Sequence, residues 1–152
     1  MTVNVPSDII AFLESREGVK KVVYRDTLDK PTDGMGHLLT PAEQVLYPVG
    51  STAPQSIIDA WVAADSAQAY TAALSQAHVL GVGDPNFIKV LTSVNFQQGA
   101  HWFTKFPKSW TLMSAHKWEE AAVEIQNSLW FKQTPVRVAD FQAALRSLIQ
   151  HG

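Results

Sequence analysis

Apolar positions recur at helical spacing along most of the chain. Ser7 and Asp8 precede Ile9, Ile10, Phe12 and Leu13, a pattern that predicts a short helix over residues 8–16. The alanine-rich stretch 55–77 contains neither Gly nor Pro, and its apolar spacing predicts one long helix. Further helices are predicted over residues 85–98, 109–115, 118–127 and 136–149.

The helical spacing is lost between residues 19 and 39. Val22-Val23-Tyr24 and the turn formers at 26–36 predict a small twisted hairpin or meander. Thr40-Pro41-Ala42-Glu43 then has the residues of a capping box and predicts the start of a helix. We therefore expect an α+β, mainly helical fold with a small N-terminal β-hairpin lobe, a long connecting helix and a helical C-terminal lobe.

The length of 152 residues predicts a single domain, with lobes at about 14–60 and 61–152. The boundary leaves helix 8–16 able to pack on the C-terminal lobe. The chain has no cysteine, which excludes disulfides, thiol nucleophiles and thiolate metal sites. The other histidines, at positions 78, 101, 116 and 151, show no ligand spacing beside His37, so we expect no metal and no cofactor.

The net charge of −2 and a pI near 6.2 argue against a nucleic-acid partner. No apolar run approaches the length of a membrane span, so stable membrane insertion is not expected. The first residues lack a basic region followed by an apolar one, which predicts neither a signal peptide nor a signal anchor. We expect a monomer.

The segment from Glu17 to His37 is the richest in candidate chemistry. Glycoside hydrolysis uses one carboxylic acid to protonate the leaving oxygen and a second carboxylate on the other side of the bond. Glu17 follows the first helix and Asp26 lies in the turn region, so the two can face each other across a cleft. Thr32 offers a hydroxyl to a water molecule. On residue type alone, however, such side chains are more often an ordinary solvated surface.

The order and spacing of these residues resemble the catalytic segment of the T-even bacteriophage lysozymes, glycoside hydrolase family 24. That segment is Glu, eight residues, Asp, five residues and Thr, followed by Gly-x-Gly-His. The corresponding residues here are Glu17, Asp26, Thr32, Gly34, Gly36 and His37. Three C-terminal segments resemble the family as well: Phe96–Gly99, Trp118–Val123 and Trp130–Arg137.

The resemblance implies a lysozyme-like fold and a role for each matching residue. Glu17 is then the general acid, Asp26 the opposite carboxylate, and Thr32 the residue that positions the attacking water. Asp65 is our candidate partner for His37, and Arg137 matches the arginine that contacts the catalytic Glu in the family. All three would support the site structurally.

Four residues are predicted to contact the substrate. They are Gly36, Gln97, Gln98 and Trp102, where either glutamine can bond N-acetyl groups and Trp102 follows the helix end that lines the cleft in the family. The other tryptophans at helical spacing are expected to build the core.

The resemblance implies a muramidase that acts on bacterial peptidoglycan. It would hydrolyse, with inversion, the β-1,4 bond between N-acetylmuramic acid and N-acetylglucosamine. In a phage, such an endolysin would wait in the host cytoplasm until its release onto the periplasmic wall. Two alternatives remain open: a lytic transglycosylase, and a virion-associated or catalytically inactive wall-binding domain.

Overall fold

The computed structural model describes residues 4–17, 20–25, 31–34 and 37–151. Two compact units divide the chain, an N-terminal unit (Met1–Ala67) and a C-terminal unit (Gln68–Gly152). The helices are α1 (Ser7–Glu17), α2 (Pro41–Leu46), α3 (Gln55–Leu80), α4 (Pro85–Gln98), α5 (Pro107–Ser114), α6 (Trp118–Ile125), α7 (Leu129–Gln133) and α8 (Pro135–His151). Trp102–Thr104 forms a short 3₁₀ turn.

The N-terminal unit contains a small antiparallel sheet. Its strands β1 (Lys20–Arg25), β2 (Pro31–Gly34) and β3 (His37–Leu38) lie in the order β1-β2-β3. Thr32 pairs with Tyr24 on one side and with Leu38 on the other, and the register of β1 against β2 shifts between Lys20 and Tyr24.

The predicted small N-terminal β-hairpin lobe is wrong. The N-terminal unit is built mainly from α1, α2 and the first part of α3, and its short strands form a three-stranded meander within that unit rather than a lobe of their own. The physical reason is size, because strands of six, four and two residues are too short to enclose a core of their own.

The predicted start of α2 is confirmed, because Thr40 and Glu43 form a reciprocal cap. The Glu43 N–H donates to the Thr40 hydroxyl at 3.2 Å, and the Thr40 N–H donates to Glu43 Oε1 at 2.8 Å. Pro41 occupies the first helical position, where its missing N–H costs nothing. Apolar side chains of the N-terminal unit form a core cluster of Leu39, Ala53, Ile58 and Trp61, with Tyr47, Ile57 and Val62 packed against it.

The described residues of the C-terminal unit form helices joined by short turns, and α8 contacts α4, α6 and α7. Asp84 caps α4 by accepting the Phe87 N–H at 2.9 Å, as its position before Pro85 predicts. The largest fully buried side chains in this unit are Trp102, Phe87, Phe141, Leu91, Met113, Ile125, Leu145 and Val138.

The helix that begins at Trp118 is shorter than predicted. The predicted helix 118–127 ends at Ile125, and Ser128 then caps the short helix α7, which the sequence pattern does not predict.

His116, between α5 and α6, has a positive φ of 58°, and its Nε2 donates to Leu80 O at 2.7 Å. Its ring stacks on Trp118 with the ring centroids 4.8 Å apart.

The long helix predicted over 55–77 is confirmed as α3. Its buried residues Ala69, Ala73, Ala77 and Leu80 recur every three or four positions and face the core of the C-terminal unit. Within the described ranges, no helix combines the length and the apolar character that a bilayer crossing needs.

Candidate active site

Glu17 is the last residue of α1, whose buried face carries Ile9 and Leu13. The Glu17 side chain is half-buried, and its Oε1 atom is shielded from solvent. Packing of the helix therefore holds one carboxylate at the helix end, with one oxygen away from bulk water.

Of the three predicted catalytic residues, Glu17 is the one whose side chain the structure describes. Asp26 and Gly36 lie outside the described residues. The backbone of Thr32 is in the central strand β2, but its side chain also lies outside the description. The catalytic roles of Asp26 and Thr32, and substrate contact by Gly36, therefore stay predictions.

His37 lies at the centre of a polar cluster in the N-terminal unit. Its Nδ1 is 2.7 Å from Asp65 Oδ2 on α3, and its Nε2 is 3.0 Å from Glu43 Oε1 on α2. The ring also stacks on Trp61, with centroids 4.5 Å apart and an interplanar angle of 12°. The histidine thus connects β3 to two helices through three separate contacts.

The two carboxylates control the protonation of His37. Burial lowers the pKa of His37, but hydrogen bonds and charge attraction from Asp65 and Glu43 outweigh burial and raise the pKa above 6.5. For Glu43, burial raises the pKa. The Thr40 N–H and the His37 ring oppose this effect and hold the pKa of Glu43 below its usual 4.5. The cluster therefore favours an imidazolium between two carboxylates.

The structure places Asp65 against His37, as the sequence analysis proposes, and adds Glu43 and Trp61. The capping box identifies Glu43 in the sequence as the partner of Thr40. That pattern does not indicate that Glu43 also contacts His37. Within the described residues, no three His, Asp or Glu side chains form a group able to hold a metal ion. Each ring nitrogen of His37 contacts one carboxylate, an arrangement that holds the imidazole in place.

Arg137 is buried in the C-terminal unit at the start of α8. Its Nη2 donates to both the backbone oxygen and the hydroxyl of Ser93 on α4, at 3.1 and 2.8 Å. These bonds fix the guanidinium between two helices of its own unit. The predicted role of Arg137 beside the catalytic Glu stays a prediction.

The two adjacent glutamines at the end of α4 have different environments. Gln97 Oε1 accepts the Trp130 indole N–H at 2.8 Å, and Gln97 Nε2 donates to the Thr134 hydroxyl at 3.2 Å. By contrast, no described residue forms a hydrogen bond with the Gln98 side chain, although Lys105 Nζ donates to the Gln98 backbone oxygen at 3.3 Å. Gln98 is therefore the glutamine with its amide available.

The prediction that Trp102 contacts substrate is wrong. Its side chain is 0% exposed, and its indole N–H donates to Gln76 Oε1 at 3.0 Å. Phe103, Trp110 and Phe141 pack against it in edge-to-face geometry, with ring centroids 5.6 to 6.2 Å away. An indole enclosed on all sides by its own unit cannot stack on a sugar, so Trp102 is a core residue.

Comparison with known proteins identifies the family. The chain matches no protein-family model. It is 31% identical to the probable T4-type lysozyme 2 of Dictyostelium discoideum, over 86% of this chain and 89% of that protein. It is 29% identical to the probable T4-type lysozyme 1 of the same organism, with the same coverage. The chain belongs to the T4-type lysozyme family.

Proposed function

We propose that this protein is a muramidase, a glycoside hydrolase that cuts the β-1,4 bond between N-acetylmuramic acid and N-acetylglucosamine in bacterial peptidoglycan. Membership of the T4-type lysozyme family carries the proposal. The spacing of Glu17, Asp26 and Thr32 supports it, since a hydrolase needs an acid and a second carboxylate.

In the proposed reaction, Glu17 protonates the glycosidic oxygen as the bond to the anomeric carbon breaks. Asp26 acts as the base on the other face of the sugar, and Thr32 holds the attacking water beside it. Water then adds from the side opposite the leaving group and inverts the anomeric centre. The shielded Oε1 of Glu17 suits an acid that must deliver its proton to the substrate rather than to bulk water.

The glycan contact is assigned to Gln98 rather than to its neighbour. Gln97 already bonds Trp130 and Thr134, and breaking those bonds would leave an indole N–H without its acceptor. The free amide of Gln98 can donate to, and accept from, an N-acetyl group without that loss. We therefore propose Gln98 as the substrate-binding glutamine.

A turbidity assay on permeabilised Gram-negative cells tests the activity. We expect Glu17→Gln and Asp26→Asn to abolish lysis, because each removes a carboxylate that the reaction needs. Glu14→Gln is the matched control, since Glu14 lies on the same helix with its side chain exposed. Equal activity of wild type and Glu17→Gln would refute the proposed role of Glu17.

Two product analyses separate this mechanism from its alternatives. A lytic transglycosylase would release muropeptides with anhydro-muramyl ends, whereas a hydrolase releases reducing ends that mass spectrometry distinguishes by one water. Proton NMR of the first product should show the α-anomer if the centre inverts. A catalytically inactive wall-binding domain would release no product at all.

The proposal specifies less of the biological setting than the sequence resemblance implies. Both relatives described above come from Dictyostelium discoideum, so the proposal concerns the reaction and does not require a phage life cycle. Action on the wall of a bacterial cell is common to a host-lysing endolysin and to a lysozyme of another origin.

A further inference from the structure

A buried pair of amide side chains joins two helices of the C-terminal unit. Gln76 Nε2 on α3 donates to Asn95 Oδ1 on α4 at 2.9 Å, and Asn95 Nδ2 donates back to Gln76 Oε1 at 2.8 Å. The two residues are 7% and 4% exposed. Because a buried amide without partners is costly, such a pair persists only where its bonds are complete.

Gln76 uses its remaining capacity on the segment that follows α4. Its Nε2 also donates to Ala100 O at 3.1 Å, and its Oε1 also accepts the Trp102 indole N–H at 3.0 Å. The amide thus donates two hydrogen bonds and accepts two, which is its ordinary full complement. The Gln76 side chain alone therefore bonds both Ala100 and Trp102.

The segment held by Gln76 begins with unusual backbone geometry and is exposed except at Trp102. Gly99 ends α4 with φ 90° and ψ 161°, and residues 99–101 are exposed. The available side chain of Gln98 immediately precedes this turn. Gln98 is the last residue of α4, so its side chain leaves the helix directly before the turn that Gln76 holds.

We propose that Gln76 is a positioning residue for substrate binding: it holds residues 100–102 so that Gln98 meets the glycan. The inference rests on the proposed function, because it gives Gln98 a substrate to meet. Burial alone does not explain an amide here, since leucine has a similar volume and no polar atoms to satisfy. Two of the four hydrogen bonds join this buried position on α3 to the turn that follows α4.

The test compares Gln76 variants with a matched buried glutamine. Gln76→Glu keeps the two accepted hydrogen bonds and loses both donated ones, whereas Gln76→Leu loses all four. The control is Gln142→Leu, because Gln142 is 8% exposed and donates to Ala122 O at 2.8 Å, a carbonyl on α6 rather than in the turn. KM and kcat are measured on solubilised peptidoglycan below the unfolding transition of every variant.

We expect both Gln76 variants to raise KM about tenfold, the loss of one substrate hydrogen bond, while kcat stays unchanged. Gln142→Leu should leave KM unchanged even though it loses stability. In a Gln98→Ala background, the Gln76 variants should raise KM no further, because the group that they position is absent. Equal KM effects for Gln76 and Gln142, or additive effects with Gln98→Ala, would overturn the proposal.

Amide hydrogen exchange tests the same support without relying on activity. The backbone N–H of Trp102 donates to Gly99 O across the turn at 3.2 Å. Its exchange should accelerate in Gln76→Glu and stay unchanged in Gln142→Leu. Unchanged exchange in Gln76→Glu would overturn the inference even if the enzyme is active. Wild-type protein that releases nothing from peptidoglycan would instead refute the proposed function, and exchange would still decide whether Gln76 supports the turn.

Discussion

Replacing Asp65 with Asn tests the electrostatic role of the His37 cluster. Asn keeps the shape of Asp and still accepts a hydrogen bond from His37 Nδ1, but it removes the negative charge 2.7 Å away. The charged form of His37 then loses the stronger of its two contacts, while Glu43 Oε1 remains 3.0 Å from Nε2. Packing of the ring on Trp61 is unaffected by the substitution.

The size of the effect follows from the burial of the pair. A hydrogen bond to a charged group contributes roughly 1.5–3 kcal/mol when it is well shielded. The side chains of His37 and Asp65 are 15% and 30% exposed, so solvent screens part of the attraction. We expect Asp65→Asn to lower the free energy of unfolding by about 1–2 kcal/mol. In a protein of this size the melting temperature should fall by roughly 2–8 °C.

The pH dependence gives the prediction its sign. Because folding raises the pKa of His37, its contribution to stability is fully present below pH 6.5 and is lost as the pH rises through the raised value. Because folding lowers the pKa of Glu43, its contribution is present above pH 4.5 and is lost as the pH falls through the lowered value. The cluster therefore stabilises the protein most between pH 4.5 and 6.5.

Urea unfolding of wild type and Asp65→Asn across this pH range provides the measurement. The difference between them should be greatest below pH 6.5 and should shrink as His37 loses its proton. Asp59→Asn is the control, because Asp59 is an exposed residue on the same helix that accepts only a Gln55 side-chain bond at 2.9 Å in the described structure. A destabilisation by Asp65→Asn that is the same at every pH would refute the charge-based explanation.

Substitutions at three further positions test single features of the fold by urea or thermal unfolding. Thr40→Ala removes the cap of α2 and should lower the free energy of unfolding by about 1 kcal/mol. Thr40→Ser keeps the hydroxyl and should retain most of that stability. Gly99→Ala should cost about 1–3 kcal/mol from the φ of 90° alone, since no described residue other than the two chain neighbours lies within 4 Å of the added Cβ. An unchanged stability would contradict this. Phe141→Ala should cost about 3–5 kcal/mol because the side chain is 0% exposed, and a loss below 1 kcal/mol would show that the core refills the space.

The features that the sequence predicts well are those whose cause is local. Thr40 and Glu43 are three residues apart, as are Asp84 and the Phe87 N–H that it caps, so both helix starts can be derived from neighbouring side chains. The length of α3 follows from a long stretch without Gly or Pro. For the two caps the physical determinant lies within one turn of the helix start, and for α3 it lies in the composition of the helix itself.

The features that the sequence does not predict depend on partners far apart in the chain. Gln76 and Asn95 are separated by 19 residues and carry no pattern that marks them as a pair. Helical spacing also gives no means of telling a tryptophan at a surface from one enclosed by Phe141 and its neighbours, so the sequence does not show that Trp102 is a core residue. The small N-terminal lobe failed as a prediction because β-strand signals near residues 22–24 say nothing of how much helix surrounds the strands.

The left-handed backbone of His116 has a consequence for attempts to stabilise this protein. Glycine is the usual replacement where φ is positive, since it relieves the crowding of the Cβ atom. Here, however, glycine would leave Leu80 O at the end of α3 without the imidazole donor and would uncover one face of Trp118. Engineering guided by backbone angles alone would therefore choose the wrong residue, because at this position the side-chain contacts stabilise the protein more than relief of the backbone would.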